Sequence, residues 1–195
     1  RRRYARSMDE ERAPRASGRP RVAAPVALRA AVPRDARALA ALMAGIYAEG
    51  RWFVGDGAPS PDALARQLRA LDPTREVMLV AEGPGGLLGW VEARRYAPRS
   101  MEHVATLTLA VAADARRRGV GRRLLRALAP WARRVGARKL RLDVRAGNDA
   151  ARALYLSEGY RVEGIERDQI RDDGGFEDNV IMALDLTDEA TPPAR

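Results

Sequence analysis

The stretch VATLTLAVAADARRRGVGRRLLRALAPWARRVGARKLRLDVR, residues 104–145, constrains the fold more than any other part of the chain. It opens on an apolar, β-branched run, 104–111, and closes on another, 139–145, in which Leu140, Leu142 and Val144 alternate with polar residues. Between them Val120, Leu124, Leu125 and Leu128 recur at helical spacing. A strand–helix–strand order of this length makes the two strands parallel neighbours, with the helix as the crossover. Pro130 falls inside the helical pattern and is expected to kink or split it.

The flanking pattern fills in the rest of a mixed α/β sheet. VALRAAV (26–32) reads as a first strand, and Asp35 is placed to cap a helix carrying Leu39, Leu42, Met43, Ile46 and Tyr47. Ser60-Pro61 opens a second helix, with a capping serine and proline in the first turn and a stripe of Leu64, Leu68 and Leu71. EVMLVAEG and LLGWVEARRY, joined by GPGG, form an antiparallel hairpin. NDAARALYLSEG is a short helix opened by Asn148 and closed by Gly159, and 160–186 form a closing hairpin around RDDGG. The chain has no run of 18 apolar residues, so no membrane helix is expected, and its basic N-terminus has no apolar segment of the kind a secretory signal carries.

Composition matters here chiefly by subtraction. The 195 residues contain no cysteine and one histidine, His103. Thiolate chemistry, disulfides and multi-histidine metal clusters are therefore excluded, and no metal is expected. The net charge is +9, but residues 1–22 hold eight arginines against Asp9, Glu10 and Glu11 and so supply +5 of it. Residues 1–25 read as a disordered basic Arg/Pro/Ala-rich tail, 26–186 as one domain, and 187–195 as a flexible C-terminal tail.

The turn RRRGVG lies where a strand hands over to a helix. A helix start offers unpaired N–H groups and a positive dipole end. Glycine at 119 and 121 leaves no side chain to hold a bulky anion away, so the amides of about 117–122 can converge on a diphosphate, with arginine charge around it. The spacing is neither the G-x-G-x-x-G of a dinucleotide fold nor a P-loop with its lysine. On spacing alone, a solvated basic helix start stays open. Asn148 and Tyr155 lie seven residues apart, nearly two turns at about 100° per residue, and so face the same way. Topology brings that face and the glycine turn to the carboxyl ends of neighbouring strands, where α/β proteins bind ligands.

Two motifs carry a resemblance. Arg116, Gly119 and Gly121 match [Q/R]-x-x-G-x-[G/A]; Asn148, Ala151, Tyr155, Gly159 and Tyr160 match N-x-x-A-x-x-x-Y-x-x-x-G-[F/Y]. With LTLAV before the first, the chain resembles the GNAT superfamily of acetyl-CoA-dependent N-acyltransferases, over about 26–186 in element order and specifically in 104–165. IYAEG, HVATLTLAV and GGFEDNVIMALDL resemble the group that acetylates amino acids and phosphinothricin-type amines. The resemblance implies a mostly antiparallel sheet of six to seven strands, a splayed parallel pair and flanking helices. It implies that acetyl-CoA lies in the splay, with its pantetheine arm along Leu109 to Val111. The diphosphate would rest on Arg116, Arg117, Arg118, Gly119, Val120, Gly121 and Arg122, and Asn148 would bond the arm. It implies direct attack by an amine on the thioester, a backbone N–H near Val111 for the oxyanion, and Tyr155 as acid for the departing thiolate.

The proton acceptor is less determined. Relatives of this group often carry a carboxylate where this chain has Thr106, and threonine cannot serve. Glu92 on the neighbouring strand is the substitute, with Glu49 second; an amine that arrives neutral needs neither. His103 matches a histidine of the amino-acid-acetylating relatives or is a loop residue. Trp52 and Phe53 line the acceptor pocket or pack in the core. The expected acceptor is a small-molecule amine or amino acid, and a protein N-terminus or lysine is the alternative. A homodimer is compatible with the resemblance, and the expected location is cytoplasmic, with no membrane partner. A CoA-binding sensor without turnover and a nucleic-acid module using the basic tail are the competing classes. Aromatic residues make up only 5% of the chain, which argues against a base-stacking platform.

Overall fold

A computed structural model describes residues 25–187 except Asp56. The expected tails, 1–25 and 187–195, lie outside the described residues apart from Pro25 and Thr187. The elements are β1 (Ala27–Ala30), α1 (Ala36–Tyr47), α2 (Pro61–Ala70), β2 (Glu76–Gly83), β3 (Gly86–Arg95), β4 (Val104–Val111), α3 (Val120–Arg134), β5 (Lys139–Arg145), α4 (Asp149–Ser157), β6 (Arg161–Asp172) and β7 (Gly175–Asp185). The strands form one seven-stranded sheet in the order β1-β2-β3-β4-β5-β7-β6. All neighbouring strands are antiparallel except β4 and β5.

Strand alternation divides the sheet into two faces, because successive side chains point to opposite sides. On one face Met78, Val80, Trp90 and Ala110 bury against Leu39, Met43 and Ile46 of α1 and Leu64 and Leu68 of α2. On the other, Val91, Leu107, Leu140, Leu142 and Met182 bury against Leu124, Leu125 and Leu128 of α3 and Tyr155 of α4. Gln67 and the loop after α1 therefore lie over one side of the sheet, and the Arg/Gly turn and α4 over the other.

The parallel pair is short. Only Val104, Ala105 and Thr106 register with Lys139, Leu140 and Arg141. Beyond Thr106 the strands diverge, and the gap between them is the opening on which the site is built. No helix among the described residues is long and apolar enough to cross a membrane.

Two local expectations are corrected: a split at Pro130 and a cap by Asp35. Pro130 does not split its helix, and α3 runs unbroken from Val120 to Arg134. Proline removes one N–H from the ladder, while Leu128, Trp131 and Ala132 around it are buried and hold both halves against the sheet. Asp35 occupies the first position before α1 but makes no side-chain cap bond. Its carboxylate instead accepts from Arg29 at 2.6 and 2.9 Å and from the Val32 amide at 2.8 Å.

Candidate active site

A cavity of about 740 Å³ occupies the divergence of β4 and β5 and reaches both faces of the sheet. One end is the turn between β4 and α3. Gly119 precedes the helix with φ +78°, a left-handed conformation that glycine adopts without steric cost. No side chain caps this helix start. The first ladder bond is from the Arg123 amide to the Gly119 carbonyl, so the amides of Val120, Gly121 and Arg122 precede the ladder. They sit at the positive end of a fifteen-residue helix, as an anion site requires. A Cβ on Gly121 would meet Leu154 Cδ2 at 3.0 Å and Leu109 and Val111 at 3.6 Å. Glycine at 121 thus lets α3 approach β4 and α4 closely.

The middle of the cavity is the open edge of β4. The Ala112 amide bonds the Leu88 carbonyl on the β3 side. By the alternation of the ladder, the N–H groups of Leu109 and Val111 point the other way, into the gap. Both residues line the cavity. An extended chain with amides of its own can add there as a strand would.

Tyr155 and Asn148 close the third side. Asn148 Oδ1 caps α4 by accepting from the Ala151 amide at 3.1 Å. Tyr155 is buried, its ring 5.6 Å from that of Tyr160. Burial pushes its hydroxyl above the ordinary tyrosine range, so it stays protonated.

On the α1/α2 face the wall is Ile46, Trp52, Phe53 and Val54, opposite Thr106, Asp143, Arg145, Ile170 and Asn179. Phe53 stacks between Tyr47 and Trp90, at 5.1 and 5.8 Å, which anchors the loop after α1. Trp52 and Phe53 therefore do line the cavity as the sequence suggests, and Phe53 also packs in the core.

Several expected site residues lie elsewhere or do something else. The Arg116 guanidinium is turned from the diphosphate turn: it donates to the Val111 carbonyl at 3.0 Å and to Glu49 at 2.8 and 2.5 Å. Glu49 is thereby held below the ordinary carboxylate range, chiefly by the Arg116 hydrogen bonds, and lies behind the wall rather than in it. Arg122 pairs with Glu158 at 2.7 Å through Nε and bonds Ser157 at 3.0 Å through Nη2, which turns much of its guanidinium toward α4 and leaves its amide and Nη1 for an anion. Arg118 is exposed and does not line the cavity, whereas Arg117 does.

Glu92 also lies off the cavity. It registers opposite Thr108, beneath α2, where its carboxylate receives one long bond from Gln67 at 3.4 Å. Burial raises its pKa. His103 is exposed at the far end of β4, where its carbonyl accepts from the Arg138 and Lys139 amides. Among the described residues, the carboxylate that does line the cavity is Asp143, which the sequence reading passed over. The signal was present: if Leu140, Leu142 and Val144 face the core, Asp143 must face the other side, beside the divergence. Arg141 holds both its oxygens and Asn179 Nδ2 donates to Oδ1 at 3.2 Å.

Comparison with known proteins agrees with this geometry. Residues 46–160 match the acetyltransferase (GNAT) family model. The chain is 34% identical over 150 residues to a Mycobacterium tuberculosis protein described as N-alpha-acetyltransferase RimI, covering 77% of this chain and 87% of that one. It is 38% identical over 87 residues to the [ribosomal protein bS18]-alanine N-acetyltransferase of Escherichia coli, spanning 45% of this chain and 59% of that protein. Among solved structures, a Salmonella typhimurium acetyltransferase bound to acetyl-CoA superposes with a TM-score of 0.77 at 22% identity, covering 87% of this chain and 99% of that one. At that identity the likeness concerns the fold. With the family match spanning more than half the chain, and the glycine turn, the diverging strands and the buried tyrosine in one cavity, the chain belongs to the GNAT family of acetyltransferases, whose acyl donor is acetyl-CoA.

Proposed function

We propose that this chain transfers the acetyl group of acetyl-CoA to the α-amino group of a polypeptide N-terminus. The observation that carries the choice of acceptor is the pairing of the cavity's arginines. Arg116 is held by Glu49, Arg122 by Glu158, and Arg145 by Asp172 and Glu177. Arg141, beside Asp143, is held by that residue. The remaining lining arginine, Arg117, stands on the diphosphate turn. A free amino acid would bring an α-carboxylate into the acceptor side, where no lining arginine among the described residues is left to receive it, and a desolvated unpaired carboxylate is costly. A peptide N-terminus brings an amide instead. The names of the Mycobacterium tuberculosis and Escherichia coli relatives point the same way.

The chemistry follows from the lining. The donor's diphosphate rests on the amides of 120–122, and its arm runs along Leu109 and Val111. The Asp143 carboxylate takes a proton from the incoming ammonium. The nitrogen lone pair then forms a bond to the acetyl carbonyl carbon, and a gap-facing amide of β4 receives the developing oxyanion. The carbon–sulfur bond breaks, and Tyr155 Oη–H donates to the departing sulfur. Nitrogen loses two protons in all: the first leaves through Asp143 to solvent, and the second passes from the tetrahedral intermediate to Tyr155 Oη, restoring the hydroxyl that protonated the sulfur. With no cysteine in the chain, no acyl-cysteine intermediate forms.

The test is a panel of acceptors incubated with acetyl-CoA, reading free thiol. Short peptides with free N-termini, the same peptides blocked at the N-terminus but carrying lysine, and free amino acids form its three arms. Turnover confined to the first arm supports the proposal. Turnover of free amino acids at equal or better kcat/KM overturns it in favour of the small-amine reading.

A further inference from the structure

The two halves of this cavity are joined by one side chain. Arg116 belongs to the turn that leads to the free amides of α3, yet all three guanidinium nitrogens point away from that turn. Nε donates to the Val111 carbonyl at 3.0 Å, on the edge of β4 that faces the gap. The other two nitrogens take both oxygens of Glu49, at 2.8 and 2.5 Å. Glu49 Oε2 also accepts from Trp52 Nε1 at 2.5 Å, and the Arg116 guanidinium lies over the Trp52 ring, 5.8 Å from its centre. Glu49 and Trp52 both lie in the loop after α1, and Trp52 is part of the acceptor wall. Arg116 is 67 residues from Glu49 in sequence, and a part-buried two-point pair of this kind fixes orientation as well as distance.

We infer that Arg116 is a positioning residue which couples donor binding to the order of the acceptor wall. The inference rests on reading the cavity as the acetyl-CoA site. A diphosphate on the amides of 120–122 immobilises the turn that carries Arg116. That holds the guanidinium against Val111 and Glu49, and so holds Trp52 in the wall. A loop ordered in advance costs an acceptor less to bind. By linkage, an acceptor that engages the loop must tighten the donor by the same factor. Lysine at 116 would keep the charge but cannot bridge a carbonyl and two carboxylate oxygens at once. The same geometry explains why an arginine in a diphosphate-binding motif makes no approach to the anion site: its guanidinium is a strut.

The experiment is hydrogen exchange of the 48–54 segment with and without coenzyme A, alongside calorimetric titration of coenzyme A, on wild type, Arg116→Lys and Glu49→Gln. Coenzyme A is expected to slow exchange of that segment in wild type. In both variants the segment should exchange faster and no longer respond. Coupling energies of this class correspond to about 5- to 150-fold, so acceptor KM should rise about tenfold while kcat and coenzyme A affinity each move less than about threefold. Three results overturn the inference: a wild-type loop indifferent to coenzyme A, a Glu49→Gln variant that responds as wild type does, or a coenzyme A affinity that collapses in Glu49→Gln with loop exchange unchanged. Failure of wild type to bind coenzyme A overturns the donor-site reading as well. Binding without a loop response overturns the coupling alone.

Discussion

Arg141 grips both carboxylate oxygens of Asp143, at 2.8 and 3.1 Å, and so fixes the one carboxylate among the described residues that lines the cavity. Asn179, itself tied to Glu166 at 2.7 Å, steadies the same group from β7. Asp143→Asn keeps the shape and most of the hydrogen bonding but removes the proton acceptor. General-base groups contribute about 10²–10⁴-fold, and kcat/KM should fall by that order. Acetyl-CoA affinity, measured by titration, should stay within a few-fold. The defect should lessen at higher pH, where more of the amine arrives without its proton. Glu92→Gln, the choice favoured by sequence, should leave the rate near wild type.

Tyr155→Phe separates packing from chemistry. The ring is buried against Tyr160 and the α3 core, and phenylalanine keeps that contact. Only the Oη–H toward the cavity is lost, so fold and donor binding should persist. A donor to the leaving sulfur acts in the transition state alone, and its loss lowers kcat and kcat/KM equally. A fall of about tenfold or more in both, with acetyl-CoA affinity unchanged, is the expected outcome. An unchanged kcat would return Tyr155 to a purely structural role.

The fold was legible because each layer of the sequence agreed with the next. β2, β4 and β5 fall on the residues their alternation predicts, and Ser60 caps α2 by accepting from the Ala63 amide at 3.2 Å. The glycine turn was legible because an uncapped helix start is a local property. What failed was side-chain partnership across long sequence distances. Asp35 looks like a cap from its neighbours, but Arg29 offers a charged fork that outcompetes a backbone amide. Arg116 looks like a phosphate ligand from its motif, but Glu49 lies within reach only once the loop after α1 has folded over β4. Glu92 looked like the base because β3 neighbours β4, yet α2 covers that position, while Asp143 at the edge of the divergence stays open. Pattern tells which face a residue takes; it does not tell what else arrives there.

Gly119 and Gly121 serve for different reasons, and substitution should tell them apart. Gly119 has open space where a Cβ would stand, but φ of +78°. Alanine there should cost about 1–2 kcal/mol of strain, read as a lower Tm, and should weaken acetyl-CoA binding only as far as the turn distorts. Gly121 has ordinary backbone but a tight site, with Leu154 Cδ2 at 3.0 Å from its missing Cβ and Leu109 and Val111 at 3.6 Å. Valine there presses on the side chains of Leu154, Leu109 and Val111 and so crowds the gap between α4 and β4. It should lower acetyl-CoA affinity by tenfold or more, about 1.4 kcal/mol per decade, in calorimetric titration. Equal effects of the two variants on binding would mean that the turn, not the gap, sets donor affinity.

Glu92 supplies the pH test. Its carboxyl is raised above the ordinary range, first by desolvation under α2; the Gln67 bond and the nearby Arg94 charge offset this only in part. A carboxyl that ionises less readily in the folded state than in the unfolded one penalises folding wherever it must be charged. The penalty is full above the raised pKa, shrinks as pH falls through it, and vanishes below the unfolded value, where both states are protonated. Glu92→Gln removes it. The variant should therefore be more stable than wild type at neutral pH, by chemical denaturation with unchanged m-value, and the advantage should disappear on acidification below the ordinary carboxylate range. Asp35 should run oppositely. Its carboxyl is lowered, first by the Arg29 hydrogen bonds, so its contribution is present above the ordinary carboxylate pKa and lost as pH falls through the folded value. Hydrogen bonds to a charged group are worth about 1.5–3 kcal/mol, so Asp35→Ala should lower stability at neutral pH by that order and by little once wild type is itself protonated. Measuring both variants across one pH series makes each the control for the other, since a general acid effect on the fold would move the two in the same direction.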